Sequence, residues 1–323
     1  MRRREFLSLA GTLAVWPLAV RAQKAPLPVV GVLHSVTAEA VLPDLLRGLR
    51  EAGYVEGQHF SIERRSAEGQ PERLLPLAQD LAERQVAVIV AAGGNGPAIA
   101  ARSATATVPI VFFSGGDPVE RHLVDSLARP GGNVTGVTSI GVALESKRLE
   151  LLHQILPSDS AIGALIDTSV VDAALQEQEL RAAAAKVGRP IRLARTATAA
   201  GIDSAIAELA QPAVRGLVVA QSPFFFSQHA RLLDIVSRRR LAAMFHRREF
   251  VEGGGLVSYG TDFADGYRKV GLYVARILGG AHPGELPVQQ PTKFEFVINL
   301  KTAKILGLAV PASLLTFADA VIE

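Results

Sequence analysis

Residues 86–97 read VAVIVAAGGNGP. Seven apolar residues, 86–92, run without a polar interruption, which fits a strand covered on both faces and so a parallel sheet. Gly93 and Gly94 let the backbone turn and let a second group come close. Pro97 suits the first position of a helix, where its missing N–H is not needed. Buried strand, glycine turn and helix, in that order, form the unit of a doubly wound α/β fold.

The same unit recurs on both sides of this stretch. Residues 27–33 (LPVVGVL) read as a buried strand, 41–52 as a helix closed by Gly53, 60–64 as an edge strand and 71–83 as a helix with Pro71 at its start. After it come a short helix over 97–103, a strand over 109–113, a helix over 117–127, and a strand over 134–139 behind the turn PGGN at 130–133. The alternation then restarts. Helices are expected over 145–156, 171–187, 202–210, 226–240 and 265–278, and strands over 161–166, 191–195, 216–220, 242–245 and 256–259.

Two successive runs of such units predict an α/β chain of two Rossmann-like doubly wound lobes. No linker rich in Pro, Gly or Ser divides them. The chain is expected to cross between lobes near 138–144, near 260 and near 287–296, and several crossings make a hinge. The expected lobes are 27–138 plus 262–288, and 140–260 plus 293–323. Ligands of open α/β sheets sit outside the carboxyl ends of the strands, so the expected site is the cleft between the lobes.

The first residues indicate where the protein works. Arg3 and Arg4 precede Phe6 and Leu7, an apolar run continues to Val20, and small residues precede Gln23. This is the pattern of an export signal cleaved after Ala22, and the paired arginines resemble a twin-arginine signal. The run contains Pro17 and is shorter than the roughly 20 residues of a spanning helix. A soluble mature chain in the periplasm is therefore expected. The full chain carries 34 Lys and Arg against 31 Asp and Glu; without Arg2, Arg3, Arg4, Arg21 and Glu5, 30 of each sign remain. A phosphate-binding surface needs a basic excess, so no nucleic-acid partner is expected. The cluster Arg238, Arg239, Arg240, Arg247 and Arg248 reads as a solvated helix end.

Catalytic and metal patterns are poor. The chain has no Cys, hence no disulfide, no cysteine nucleophile and no lipid attachment through one. There is no G-x-S-x-G elbow. The seven His residues lack H-x-H and H-E-x-x-H spacing. The loop at 93–97 is not a dinucleotide fingerprint, because Ile99 stands where a third Gly is required. No cofactor, no metal and no enzymatic activity are expected. An exported hydrolase on a two-lobed fold is the competing reading, and a solute sensor subunit is a third.

Four segments carry a resemblance to a known family: AAGGNGP (91–97), SGGDPV (114–119), ARPGGNVTG (128–136) and LPVQQPTKFE (286–295), the last continuing through INLKTA (298–303). With the export signal, these resemble the ABC transporter substrate-binding proteins that include tryptophan and tyrosine receptors. The resemblance implies a type I periplasmic binding fold. It implies a monomeric receptor that captures an amino acid, an aromatic solute or another small carboxylate and delivers it to an ABC permease in the inner membrane.

Candidate ligand contacts follow from the strand ends. His34 and Ser35 end the first strand, and His34 either donates to a carboxylate or is a satisfied loop histidine. The N–H groups of the Gly94-Asn95-Gly96 loop and the positive end of the following helix favour an anion. Ser114 and Asp117 repeat that arrangement one strand later, Asp117 as helix N-cap or as acceptor of an ammonium. In the second lobe, Asp167, Gln221 and Phe224 follow strand ends. Phe245 and Tyr259 end later strands and either sandwich a ring or pack in the core, as each of these aromatics could. Asp262 either binds an ammonium or caps the next helix.

Overall fold

The computed structural model describes residues 26–209, 211–291 and 293–323, so the expected export signal over 1–22 lies outside the described residues. The first sheet contains β1 (Val29–His34), β2 (Ser61–Ser66), β3 (Val88–Ala92), β4 (Ile110–Ser114) and β5 (Val134–Thr138), all parallel, in the order β2-β1-β3-β4-β5. The second contains β6 (Ala161–Asp167), β7 (Ile191–Thr196), β8 (Val214–Val219), β9 (Ala242–Phe245), β10 (Val257–Thr261), β11 (Phe294–Asn299) and β12 (Ala320–Ile322). Their order is β12-β11-β10-β9-β8-β6-β7, parallel except for the β10–β11 pair. Two α/β sheets of mostly parallel strands are thus present, as the apolar runs predict.

Each sheet is covered on both faces, which is why its central strands are apolar throughout. In the first sheet, Val30, Val32, Val88 and Val90 pack under one layer of helices while Leu33, Ile89, Ala91 and Phe112 pack under the other. In the second, Ile162, Ala164 and Val218 face one layer and Leu165, Leu217 and Val219 the other.

After β10 the chain returns to the first sheet. Helix Phe263–Leu278 buries Tyr267, Val270, Tyr273 and Val274 against the β1 and β3 face. It lies against helix Leu42–Glu51 at two glycines: a Cβ on Gly48 would sit 1.9 Å from the Arg268 carbonyl oxygen, and one on Gly271 2.2 Å from that of Leu45. Residues 286–289 then run beside β5. Thr135 Oγ1 donates to Leu286 O at 2.6 Å and Thr138 N to Gln289 O at 2.9 Å.

Two expected helices differ. No helix forms over 117–127. Asp117 Oδ1 accepts from Val119 N and Glu120 N, at 2.8 and 3.3 Å, and opens a single turn. His122 then adopts φ +54°, a left-handed conformation that ends it. The helix expected over 226–240 is two, Pro223–Ser227 and His229–Arg238. Ser222 Oγ accepts from Phe225 N at 3.0 Å, so the helical start lies three residues earlier than the apolar periodicity suggests.

The glycine contact yields a test. Gly271→Ala places a methyl against main chain that cannot rotate away, so the helix pair must separate. Urea unfolding followed by circular dichroism should show a loss of about 1–3 kcal/mol; an unchanged midpoint would show that the pair yields freely.

Candidate functional site

A cavity of about 590 Å³ lies between the carboxyl ends of β1, β3 and β4 on one side and β6, β8 and β9 on the other. That volume falls within the roughly 300–1,000 Å³ of pockets for drug-sized ligands. Its walls are largely apolar, with Val36, Leu74, Ile99, Phe113, Val142 and Phe224 among them.

The first wall is built on glycines. Gly93 and Gly94 have φ of +84° and +99°. A Cβ on Gly93 would lie 2.5 Å from Ser35 Oγ and 2.9 Å from His34 Nε2, so a side chain there would collide with the tip of β1. Ser35 Oγ instead donates to Gly93 O at 2.6 Å. Val36 N donates to His34 Nδ1 at 2.9 Å, which leaves the proton of the neutral ring on Nε2. Burial pulls the His34 pKa down to about 4, with Glu39 opposing weakly, so the ring is neutral near pH 7.

The second wall is stitched by hydroxyls. Asp167 Oδ1 accepts from Ser169 N at 2.8 Å and Ser169 Oγ at 2.6 Å, and Oδ2 accepts from Ser222 Oγ at 2.5 Å. The tips of β6 and β8 are thereby tied together. Gln221 donates its main-chain N–H to Glu145 Oε1 at 2.8 Å and its Nε2 to Ser139 Oγ at 3.2 Å, while its main-chain oxygen accepts from Gln176 Nε2 at 2.7 Å. His246 lies just past β9. Burial, aided by the charges of Arg148 and Arg247, holds its pKa well below the usual range for imidazole. Arg247 stacks 3.6 Å from the Phe226 ring centre and 4.4 Å from that of Phe263. Its charge is met by Glu249.

The two walls touch through Asp172. Its Oδ2 accepts from Asn95 Nδ2 at 2.6 Å and its Oδ1 from Arg121 at 2.5 Å, both from the first lobe. Gly116 faces this contact, and a Cβ there would lie 2.4 Å from Asn95 Nδ2.

Of the residues singled out from the sequence, the structure brings His34, Ser35, Gly94, Asn95, Gly96, Ser114, Asp167, Gln221 and Phe224 around one cavity. Four others do not line it. Asp117 is exposed and caps its own turn. Phe245 points into the helix-covered core and stacks on Phe250 at 4.4 Å between ring centres. Tyr259 packs beside Phe294 and Phe296 in the second lobe, so the two rings do not form a sandwich. Asp262 caps helix Phe263–Leu278 by accepting from Asp265 N at 2.9 Å. Sequence reasoning missed Asp172, Gln176, His246, Phe263 and Tyr267, which also line the cavity. Asp172 and Gln176 stand one helical turn apart just after β6, and His246 follows the last residue of β9. Extending the β9 tip by one residue would have found His246; Asp172 and Gln176 lie five and nine residues beyond β6, at the start of helix Ala173–Lys186 and within it.

The model of the family described as "ABC transporter substrate binding protein" matches residues 29–322. A tyrosine-binding protein of Clostridioides difficile is 27% identical over 266 residues, 81% of this chain and 75% of the relative. A conserved domain protein of Vibrio cholerae has a solved structure with TM-score 0.82 and 29% identity, covering 91% of this chain and 99% of that one. An ABC domain in complex with L-Trp from Streptococcus pneumoniae gives TM-score 0.81 and 27% identity, covering 92% and 100%.

The buried histidines set a pH dependence. Both have folded pKa values below the unfolded value near 6.5, so the unfolded chain binds more protons between about pH 4 and 6.5. Stability is full above pH 6.5 and falls as the pH drops through that window, by about 3 kcal/mol from His34 alone. Denaturation midpoints measured from pH 7 to pH 4 should show the decline. In His34→Asn, where the amide oxygen can still accept from Val36 N, the slope should flatten.

Proposed function

From the premise that this chain belongs to the ABC transporter substrate-binding protein family, we propose that it is the extracytoplasmic solute receptor of an ABC uptake system. It binds a small solute in the cavity between its lobes and passes it to a permease of the inner membrane. The observation that carries this reading is the cavity itself. Strand tips of two separate sheets converge on it, and both lobes contribute polar side chains within apolar walls. Apolar contact desolvates the solute and a few placed polar groups orient it. The relatives named for tyrosine and solved with L-Trp point to an amino acid, and the apolar walls suit an aromatic one.

The lobes are residues 27–138 with 262–288, and 140–260 with 293–323, joined where the chain crosses. Hinge motion about these crossings opens the cavity. The bonds from Asn95 and Arg121 to Asp172 belong to the closed form. The protein acts as a monomer in the periplasm, directed there by the amino-terminal export signal, and it releases its solute unchanged.

Binding to the folded state alone raises stability by about 2.7 kcal/mol at a solute concentration of 100 times Kd. A thermal-shift screen of amino acids, aromatic acids, nucleosides and sugars should therefore give a saturable rise in Tm with one class. A flat response across the whole panel would refute the receptor reading. The only Trp in the chain is Trp16, within the expected signal, so an extrinsic dye or circular dichroism must follow melting.

A further inference from the structure

Five buried side-chain polar atoms among the described residues have no hydrogen-bond partner, and four belong to residues that line the cavity. They are Asn95 Oδ1, Ser114 Oγ, Gln176 Oε1 and His246 Nδ1. Folded proteins leave few such atoms, because each has given up water for nothing. They gather around one cavity and are closed off from water in this structure, so a partner from the cavity reaches them only when its lining shifts.

Ser114 Oγ and His246 Nδ1 can each donate or accept, so the two amide oxygens carry the chemical information. Asn95 Nδ2 donates to the Asp172 carboxylate at 2.6 Å, and Gln176 Nε2 donates to the Gln221 main-chain oxygen at 2.7 Å. Both partners can only accept, so neither amide can be turned round. Asn95 Oδ1 and Gln176 Oε1 are therefore acceptors without donors, one from each lobe. The cations of this region are already engaged, Arg247 by Glu249 and Arg121 by Asp172. Asp167, on the same wall as Gln176, is held by hydroxyl and amide donors and pairs with no cation among the described residues. The cavity is thus rich in acceptors and short of free positive charge.

We infer that the solute is read chiefly through the N–H donors of a protonated amine held between Asn95 and Gln176, and that its carboxylate is the lesser determinant. This rests on the receptor reading above and names the part of the solute which that reading leaves open. An ammonium offers three donors and no acceptor, and hydrogen bonds from a charged donor are the stronger kind. Main-chain N–H groups at the start of helix Asn95–Ala104 still favour a carboxylate, so an amino acid remains a ligand. Its amine is the end that both lobes contact.

Three solutes with one phenyl side chain separate the two ends: L-phenylalanine, phenethylamine and 3-phenylpropionate. Isothermal titration on the exported protein should show that removing the amine weakens binding at least 100-fold, and that removing the carboxylate costs less. The reverse order, equal losses, or silence from all three overturns the inference. The receptor reading survives each of these results as long as another solute in the thermal screen binds. Gln176→Met keeps the side-chain length and removes the acceptor. It should weaken phenethylamine at least tenfold and leave any residual 3-phenylpropionate binding unchanged, with the circular dichroism spectrum intact. Unchanged phenethylamine affinity in that variant also overturns the inference.

Discussion

Arg148 is a guanidinium with no solvent exposure, and the geometry of the cleft hangs on it. It projects from helix Glu145–Ile155 and is fully buried. Nε donates to Tyr259 O at 2.8 Å, and one terminal nitrogen donates to Gly141 O at 3.1 Å. Gly141 lies on the segment that joins β5 to helix Glu145–Ile155, and Tyr259 lies within β10. The remaining nitrogen reaches Gln221 Oε1 at 3.3 Å, on the cavity wall. Burying a charge is costly unless it is paired and its donors are used. Glu145 supplies the pair at 3.0 Å; burial pushes the Glu145 carboxyl up, and Arg148 opposes that. One side chain thus holds β10, the segment after β5 and the cavity-lining amide of Gln221 in a fixed relation.

The fold was largely legible because its signal is coarse. An apolar run such as 86–92 followed by glycines can hardly be anything but a buried parallel strand feeding a helix. The carboxyl ends of such strands locate a cleft, so His34, Asn95, Ser114, Asp167 and Gln221 could be named from order alone. The aromatics could not. Successive strand residues face opposite sides of a sheet, and which side Phe245 takes depends on where Phe250 lies. Tyr259 sits on a strand whose neighbour runs antiparallel and brings Phe296 beneath it. Neither fact is local. Asp117 was read with two roles, and the local one holds, since its bonds reach only two and three residues along the chain.

Asp172 and Gln176 were invisible for another reason. Their roles depend on how the two lobes meet, which no single stretch encodes. In the sequence, Asp172 just before helix Ala173–Lys186 and Gln176 within it look like ordinary polar surface. Across the cleft, Asp172 holds the amide of Asn95 in one orientation, and Gln176 is held in turn by the main chain of Gln221. These polar groups are therefore fixed in orientation at the cavity, which lowers the freedom that any binding there would cost. The apolar walls around them keep competing water few.

Helix Phe263–Leu278 covers a sheet whose last strand was completed at Thr138. Between them the ribosome must make much of the second lobe. At roughly 5–20 residues per second, the first sheet waits on the order of ten seconds with only helix Leu42–Glu51 over the face that Tyr267, Val270 and Val274 later complete. Part of the first sheet's stability is thus set by a segment that arrives late.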